Sequence, residues 1–451
     1  MPGVSADAVV VRHAARLRGE LTVPGDKSIS HRALMLALLA AGESRIEGAG
    51  DGADVRSTAA ICAALGAVVA RSVDEGTGNA SYVVASPGMD GLATPADDLD
   101  CGNSGTSLRL FAGILAGQPF RSVLDGDDSL RRRPVARIIE PLRSMGAVLH
   151  ARSNDSLPPV TVIGRTPLLA VDVSTTVPSA QVKSAILLAA LRAGGRTTVR
   201  ESVATRDHTE RMLRARGVAV EMTADGHDGG VAISLEGGSA VLAVSERVPG
   251  DVSAAAFWLV AGAIHPDAEL AIRGVGVNPT RRAVIDILGS MGAAIDERPI
   301  AGGAAGSAEG EPVADLVVRS SELHGVDLGP RDVAAAIDEI PVLCLAATQA
   351  TGRTRIRGAD ELRHKESDRI AGVADGLRSL GASVEVDGDD LTIHGRKPLI
   401  GAATDSLHDH RLAMTFAIAG LSARGETVVG RPASAAISYP GFFGDLERVR
   451  A

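Results

Sequence analysis

Residues 28–48 read SISHRALMLALLAAGESRIEG and contain a pattern that recurs along the chain. A polar capping residue precedes a helix-like apolar run, and a glycine turn and a β-like strand follow it. The same arrangement recurs in five further copies, which begin at their predicted Ser, Asn or Asp caps at residues 103, 179, 251, 338 and 409. Copies spaced this evenly predict a chain built from one repeated α/β unit.

A second helix signature follows each strand and ends at a glycine. This glycine stands in AALGAVV, LRSMGAVL, LRARGVAV, LGSMGAAI and LRSLGASV, at residues 66, 146, 217, 292 and 381. Each is predicted to end a helix, because glycine readily adopts the left-handed conformation found there, and the alternating apolar residues after it predict a strand. Six units of strand, helix, strand, helix and strands then account for the 451 residues.

Two segments depart from the regular period. The sixth unit is cut short at FFGDLERVR, residues 442–450. The fifth interval is the longest because it holds AGGAAGSAEGEP, residues 301–312, which predicts a solvated loop whose removal should be tolerated.

The composition excludes several classes of function. Lys and Arg number 46 against 55 Asp and Glu, and the net charge of −9 disfavours a general polyanion binder. One Trp, two Tyr and six Phe offer little surface for stacking nucleic-acid bases. Cys62, Cys101 and Cys344 lack the CxxC pairs of a zinc site and the pattern of a disulfide framework. With no visible signal peptide and no apolar run long enough to span a membrane, the chain is predicted to be soluble and cytoplasmic.

The starts of the repeated helices are rich in cations. Free N–H groups and the positive end of the helix dipole favour anions there, so several starts together predict a phosphate- or carboxylate-binding centre. In PGDKSISHR, Ser28 is the predicted cap, Lys27 precedes it and Arg32 follows on the same face. The string lacks the upstream glycine of a P-loop, and a capped helix with solvated charges is the alternative. Cations stand within a turn of three other starts, at Arg109, Lys183 and Arg411.

Three further strings hold candidate catalytic carboxylates. In RHKESDRI, helical spacing places Lys365 and Arg369 on one face with Glu366 beside them as a candidate acid or base, although a solvated helix face is the alternative. IDE at residues 337–339 and DHR at 409–411 stand at helix starts. A carboxylate at a helix start is more often a cap than a catalyst.

Two features bear on other ligands. SLRRRP, residues 129–134, places three arginines in a loop before a helix, where they could bind phosphate or carboxylate or simply be solvated. The eleven histidines form no HxxxH, HxH or HExxH set, so the sequence predicts no metal site.

The strings PGDKSISHR, LDCGNSGTSLRL, RRRP, SAQ, TRDHTE, IDE, KESDR and DHR follow one another along the full chain. Together they resemble the EPSP synthase family, the 3-phosphoshikimate 1-carboxyvinyltransferases. The resemblance implies an α/β (α+β) fold of two globular domains, each of three βαβαββ units in an inside-out α/β barrel, with the active site in the cleft between them. It places residues 23–248 in one domain and residues 1–22 with 249–451 in the other.

The resemblance also implies a reaction. Members of the family transfer the enolpyruvyl group of phosphoenolpyruvate to the 5-hydroxyl of shikimate 3-phosphate and release phosphate, in the shikimate pathway of aromatic amino acid biosynthesis. For this chain it implies no metal and no organic cofactor, two small-molecule substrates, no nucleic-acid or membrane partner, and a monomer. Closure of the two domains around the substrates is a natural hypothesis, since it would exclude water.

Matching motif to motif assigns the site residues. The residues implied for shikimate 3-phosphate are Lys27, Ser28, Arg32, Ser179, Ala180, Gln181, Arg206, Asp338 and Lys365. Those implied for phosphoenolpyruvate are Lys27, Gly105, Arg133, Gln181, Arg369 and Arg411. The reaction needs two oppositely protonated groups. Asp338 is the implied base at the 5-hydroxyl, and Glu366 or Lys27 the implied donor of a proton to the methylene carbon.

Two positions depart from the family pattern. Ile437 stands where one type of member has a lysine, so one phosphoenolpyruvate contact is missing or replaced. Leu110 stands where that type has proline. Gly105, whose replacement by alanine is associated in the family with glyphosate tolerance, is kept, so this inhibitor should still fit.

The nearest alternative is UDP-N-acetylglucosamine enolpyruvyl transferase, which shares the fold and the donor. That family has Asn after the lysine of the first motif and uses a cysteine on a mobile loop. Here Ser28 follows Lys27, and Cys101 is predicted to be a packing thiol. A six-unit scaffold that binds anions without catalysis is a second alternative, disfavoured because Asp338 and Glu366 are both present.

Overall fold

A computed structural model describes residues 7–74, 76–226, 229–301 and 310–450. Most of the loop predicted at residues 301–312 therefore lies outside the described residues. Among the helices that the structure describes, none has the length and apolar character needed to cross a membrane.

The strands are short and spread along the whole chain. In chain order they are β1 (Ala8–Arg12), β2 (Leu17–Leu21), β3 (Ala41–Ala49), β4 (Val68–Val73), β5 (Ala80–Pro87), β6 (Leu99–Asp100), β7 (Arg121–Asp125), β8 (Val148–Ala151), β9 (Leu157–Ile163), β10 (Asp172–Ser174), β11 (Arg196–Glu201), β12 (Val220–Ala224), β13 (Val231–Glu236), β14 (Ser245–Arg247), β15 (Ala268–Gly276), β16 (Ala294–Pro299), β17 (Val313–Arg319), β18 (Asp327–Leu328), β19 (Arg353–Ile356), β20 (Ser383–Asp387), β21 (Asp390–His394), β22 (Ala403–Asp405) and β23 (Glu426–Gly430).

The helices alternate with these strands. They are α1 (Lys27–Leu39), α2 (Ala53–Ala64), α3 (Gly105–Ala116), α4 (Ala136–Ser144), the single turn α5 (Arg152–Asp155), α6 (Ala180–Ala190), α7 (His208–Arg214), α8 (Val252–Ile264), α9 (Ala283–Ser290), α10 (Pro330–Ala335), α11 (Ile340–Gln349), α12 (Arg369–Ser379), α13 (His410–Ser422) and α14 (Phe442–Arg448).

Among the described residues, five four-stranded sheets repeat one order of strands and a sixth sheet has three strands in the matching order, which confirms the six-unit prediction. In each of five sheets a short strand runs parallel to a second strand, which pairs antiparallel with a third, and the third with a fourth. These sheets are β14-β3-β5-β4, β6-β7-β9-β8, β10-β11-β13-β12, β2-β15-β17-β16 and β18-β19-β21-β20, and the sixth is β22-β23-β1.

Three strands complete sheets that lie far from them in the sequence. β14 runs parallel to β3, and β2 runs parallel to β15. β1 pairs antiparallel with β23, so the last unit receives a strand from the other end of the chain, and most of FFGDLERVR forms α14 instead. Strands near the two ends of the chain therefore lie in one sheet.

The first helix of each unit lies inside, and the sheets lie outside. Every residue of α8 except Ile264 is buried, because the helix is apolar on all sides. In the same way α1, α3 and α6 pack in one core, and α8, α11 and α13 in another. The fold is therefore the inside-out α/β arrangement that the family resemblance implies.

The buried apolar side chains form two separate cores. The first core, which defines the first domain, draws on residues 29–248, and the second core, which defines the second domain, draws on residues 11–23 and 252–449. The chain passes between them twice, where Gly25 forms a bridge with Gly250 and Gly250 forms one with Val275. The two crossings are thus hydrogen-bonded to each other and to the end of β15.

The predicted helix-ending glycines are confirmed, but half of the predicted caps are wrong. The five glycines have φ between +81° and +102°. Ser179, Asp251 and Asp409 cap α6, α8 and α13 as predicted. For α1 the cap is Asp26, not Ser28, for α3 it is Ser104, not Asn103, and for α11 the capping position is Glu339, not Asp338. Asp26 accepts a hydrogen bond from the Ile29 N–H at 2.9 Å, so α1 begins before Ser28.

Candidate active site

The starts of α3 and α6 meet in the first domain through Gln181. Its Oε1 accepts a hydrogen bond from Arg109 Nη1 at 2.8 Å, and its Nε2 donates to Thr106 Oγ1 at 3.0 Å. Ser179 caps α6, and Ala180 is the first residue of that helix. The two helix N-termini therefore lie side by side, and their N–H groups favour an anion.

Gly105 opens α3 against two guanidinium groups. A Cβ at this position would lie 2.6 Å from Arg109 Nη1 and 3.6 Å from Arg133 Nη1. Arg133 Nη2 donates to Asn103 Oδ1 at 2.5 Å, which fixes its orientation. The missing side chain at Gly105 allows the Arg109 guanidinium to lie close to the first turn of α3.

Lys27 stands in the first turn of α1 and pairs with Asp54. Burial acts to raise the pKa of Asp54, but the charge and hydrogen bond of Lys27, together with the charge of Arg133, outweigh it and lower that pKa. The carboxylate of Asp54 thus interacts electrostatically with both Lys27 and Arg133. This brings Lys27 and Arg133 into one neighbourhood.

Arg32 and Lys183 are both buried cations, but they have different partners. Arg32 is 4% exposed and donates to Thr209 Oγ1 at 2.8 Å and to Ser28 O at 3.0 Å, and burial lowers its pKa to about 10. Lys183 is fully buried between the carboxylates of Glu201 and Glu210, at 2.9 and 2.8 Å. The prediction that Lys183 belongs to the anion-binding centre is therefore wrong, because two glutamates already neutralise it.

Asp338 meets cations from both domains. Arg206 Nη2 of the first domain lies 3.1 Å from Asp338 Oδ2, and Arg369 Nη1 of the second lies 3.6 Å from Asp338 Oδ1. Burial acts to raise the pKa of Asp338, but the charges of Arg411, Arg206 and Lys365 outweigh it and hold that pKa well below its ordinary value. Asp338 is therefore ionised and is approached by cations from two sides.

Arg369 is the centre of the second domain's charge cluster. Its Nη2 donates to Glu366 Oε2 at 2.6 Å and its Nε to Asp409 Oδ2 at 2.8 Å, and its side chain is only 2% exposed. Burial acts to raise the pKa of Glu366, but Arg369 and then His410 outweigh it and lower that pKa to about 2. Glu366 is therefore ionised as well.

Lys365 and Arg369 do not share one helical face, contrary to the prediction. Lys365 follows a short 3-10 turn, and Arg369 begins α12 behind its cap Asp368. The two residues are not in one continuous helix, because the N-cap Asp368 between them has non-helical backbone angles. Lys365 Nζ lies 3.4 Å from Glu361 Oε1, and its charge still reaches Asp338.

Four further residues of the charge cluster were not predicted as site residues: Glu339, Arg281, Asp409 and His410. Glu339 is 1% exposed and accepts from Arg281 Nη1 at 3.2 Å, while Arg411 Nη1 lies 3.6 Å from it. Asp409 receives Arg369, and burial lowers the pKa of the adjacent His410 to about 4. Three of the four stand inside the quoted motifs IDE and DHR, so the signal was present. Arg281 carried no motif that could have revealed it.

Cys101 and Ile437 bring no charged group to the site. Cys101 is fully buried, and burial raises its pKa, so it packs as predicted. Ile437 is 44% exposed and brings no charge to its position. The residues that the structure describes include no group of three or more His, Cys, Asp or Glu placed to hold a metal ion.

Two inside-out α/β domains that meet at a cation-rich cluster, through Arg206 and Asp338, are the arrangement that the resemblance to enolpyruvyl transferases implies. The profile of EPSP synthase (3-phosphoshikimate 1-carboxyvinyltransferase) matches residues 11–446, and the chain belongs to this family.

Individual relatives agree over nearly the full length. The 3-phosphoshikimate 1-carboxyvinyltransferase of Gloeobacter violaceus is 50% identical over 447 residues, which cover 98% of this chain and 99% of that protein. That of Geobacter metallireducens is 46% identical over 444 residues, with 98% and 99% covered. A solved structure of EPSP synthase from Acinetobacter baumannii superposes with a TM-score of 0.87 at 39% identity and covers 98% of both chains.

Proposed function

We propose that this chain transfers the enolpyruvyl group of phosphoenolpyruvate to the 5-hydroxyl of shikimate 3-phosphate and releases phosphate. The observation that carries the proposal is the Arg206–Asp338 contact of 3.1 Å between the domains. It sets an ionised carboxylate among cations at the junction of both domains, where a base can meet an anionic substrate. UDP-N-acetylglucosamine enolpyruvyl transferase is disfavoured, because the thiol of Cys101 is buried and packs in the core.

Shikimate 3-phosphate binds, in this proposal, on the first domain and against Asp338. Its ligands would be Lys27, Ser28, Arg32, Ser179, Ala180, Gln181, Arg206, Asp338 and Lys365. Arg32 also donates hydrogen bonds to the carbonyl of Ser28 and to Thr209, which hold its guanidinium next to Ser28. Helix N-terminal N–H groups and Arg206 would neutralise the phosphate.

Phosphoenolpyruvate occupies the space bounded by both domains. Its ligands would be Lys27, Gly105, Arg133, Gln181, Arg369 and Arg411. The absent side chain at Gly105 and the two adjacent guanidinium groups suit a small, doubly charged donor. Arg109 is added to this set as the side chain that orients Gln181.

Two groups exchange protons with the substrates. Asp338 removes the proton of the 5-hydroxyl as the oxygen attacks C2 of phosphoenolpyruvate, and a donor protonates the methylene carbon. In the resulting tetrahedral intermediate the bond from C2 to the phosphate oxygen then breaks, the deprotonated donor takes back a proton from the new methyl group, and the carbon–carbon double bond is restored as phosphate leaves. Since the pKa of Glu366 is lowered to about 2, Glu366 is unprotonated before substrates bind, which favours the ammonium group of Lys27 as the donor.

The domain boundaries are proposed at residues 22/23 and 248/249, with the chain acting as a monomer. Two separate hydrophobic cores support these boundaries, although Val23 packs in the second core. Closure of the domains would bring the cations of both sides onto the substrates and exclude water.

Phosphorus NMR of the purified protein with both substrates and no added metal tests the proposal. Inorganic phosphate and one new phosphorylated product should appear in equal amounts, and an Asp338→Asn variant should form both far more slowly. Phosphate release only when UDP-N-acetylglucosamine replaces shikimate 3-phosphate would assign the rival transferase. Absence of turnover with either acceptor would leave an anion-binding scaffold.

A further inference from the structure

The buried side chain of Asn278 joins the two domains next to the proposed site. Asn278 follows β15 in the second domain and is 2% exposed. Its Nδ2 donates to Asp207 Oδ1 at 2.7 Å and to Glu311 Oε2 at 2.9 Å. Its Oδ1 accepts from the Thr280 N–H at 2.8 Å, so each polar atom of the amide has a partner of the correct kind.

The start of α7 in the first domain is held to the second domain at further points. The N–H of Asp207 donates to Thr280 Oγ1 at 3.3 Å. His208 Nδ1 lies 2.7 Å from Glu311 Oε1, and both side chains are almost fully buried. Because buried carboxylates without partners are costly, this group of contacts fixes the start of α7 on the turn at Asn278.

Both partners of the Arg206–Asp338 contact are sequence neighbours of groups that this turn holds. Arg206 precedes Asp207, which Asn278 binds. On the other side, the Arg281 N–H donates to Asn278 O at 2.8 Å, and the Arg281 guanidinium binds Glu339, the neighbour of Asp338. One turn therefore supports the acceptor-binding arginine and the proposed base at the same time.

We propose that Asn278 is a positioning residue for the transferase reaction, which sets Arg206 at the distance from Asp338 that shikimate 3-phosphate requires. The inference rests on the proposed function, since it acts through the proposed ligand Arg206. Asn278 comes two residues after β15, whose Val275 forms a bridge with the crossing residue Gly250. The contact thus lies beside the two chain crossings, where it can persist while the outer parts of the domains move.

A double-mutant cycle tests whether Asn278 acts through Arg206. In calorimetric titrations with shikimate 3-phosphate, Asn278→Ala should weaken binding about tenfold, a size typical of one broken contact in a coupled network. Arg206→Ala should weaken binding at least as much. The double variant should bind no more weakly than Arg206→Ala alone, because Asn278 would then have nothing left to position.

Two further variants separate positioning from general damage. Thr280→Val keeps the shape and removes one hydroxyl, so it should raise the KM for shikimate 3-phosphate by about threefold in a protein that still folds. Leu149→Ala removes a fully buried side chain from β8 of the first domain, and it should lower the melting temperature while shikimate 3-phosphate binds as before.

The outcomes distinguish this inference from the proposed function. Multiplied losses in the double variant, or unchanged affinity in Asn278→Ala and unchanged KM in Thr280→Val, would overturn the positioning role. Unchanged binding in Arg206→Ala would instead remove Arg206 from the proposed site.

Discussion

Replacement of Gly105 by alanine should weaken phosphoenolpyruvate binding without unfolding the protein. The new Cβ would lie 2.6 Å from Arg109 Nη1. Ordinary van der Waals contacts of a Cβ begin at about 3.4 Å, so the Arg109 guanidinium must move by roughly 0.8 Å. The obstructing atom is the far end of a flexible side chain, and the backbone of α3 can stay in place. The cost therefore falls on the contacts of Arg109.

The size of the effect follows from those contacts. Arg109 donates to Gln181 Oε1 at 2.8 Å and to Pro134 O at 3.1 Å, and a shift of this size breaks or bends the first of them. A hydrogen bond from a charged donor contributes about 1.5–3 kcal/mol, and partial readjustment leaves a loss near 1.4 kcal/mol, which is about tenfold in affinity. The KM for phosphoenolpyruvate should rise by that factor.

Steady-state kinetics with each substrate varied in turn provide the assay. Glyphosate competes with phosphoenolpyruvate in the EPSP synthase family. Its inhibition should weaken in parallel, because the new methyl group narrows the proposed phosphoenolpyruvate site. Gly289→Ala in α9 is the matched control, since a Cβ there meets nothing within 4 Å, and it should leave both KM values unchanged. A Gly105→Ala protein with an unaltered KM for phosphoenolpyruvate would refute the placement of this substrate at α3.

Three further changes test the charges described above. Asp338→Asn should lower kcat by about 10²–10⁴-fold, as expected for loss of a general base, and single-turnover kinetics that retain a tenth of the rate would exclude that role. His31 has its pKa lowered to about 3, mainly by burial and then by Lys27, whereas the unfolded chain takes up this proton near pH 6.5. The free energy of unfolding should therefore fall as the pH drops below 6.5, by about 2 kcal/mol at pH 5 from this group. In urea unfolding at several pH values, the free energy of unfolding of His31→Gln should depend less steeply on pH than that of the unchanged protein. An equally steep dependence on pH would contradict a buried, neutral His31. Lys183→Met should cost about 3–5 kcal/mol of unfolding free energy in urea, since two buried carboxylates lose their partner, and a loss below 1 kcal/mol would show that they are not charged.

The repeated unit could be predicted because its signals are local. An apolar helix, a helix-ending glycine and an alternating strand each lie within about ten residues, and their spacing repeats along the chain. The exchange of β1, β2 and β14 could not be predicted in this way. Pairing of β1 with β23 joins residues more than 400 positions apart, and many other strands offer the same alternating pattern.

The site was predictable to the extent that its groups stand in recognisable strings. Lys27, Gly105 and Asp338 belong to such strings, but which charges neutralise one another depends on contacts between distant elements. Lys183 looks like a ligand in the sequence and is neutralised by Glu201 from a later strand. Arg281 has no motif, yet it holds Glu339 through a contact between residues 58 positions apart.

The ionisation of Asp338 links substrate binding to the strength of the proposed base. In the free protein the charges of Arg411, Arg206 and Lys365 hold the pKa of this carboxyl far below its ordinary value, which makes it a weak base. The proposed ligands of the two substrates include these same three cations. Each phosphate or carboxylate that binds them offsets part of their field at Asp338, so its pKa must rise as the site fills. The base is then strongest when both anions are present, and the cations that bind the substrates also limit proton removal in their absence.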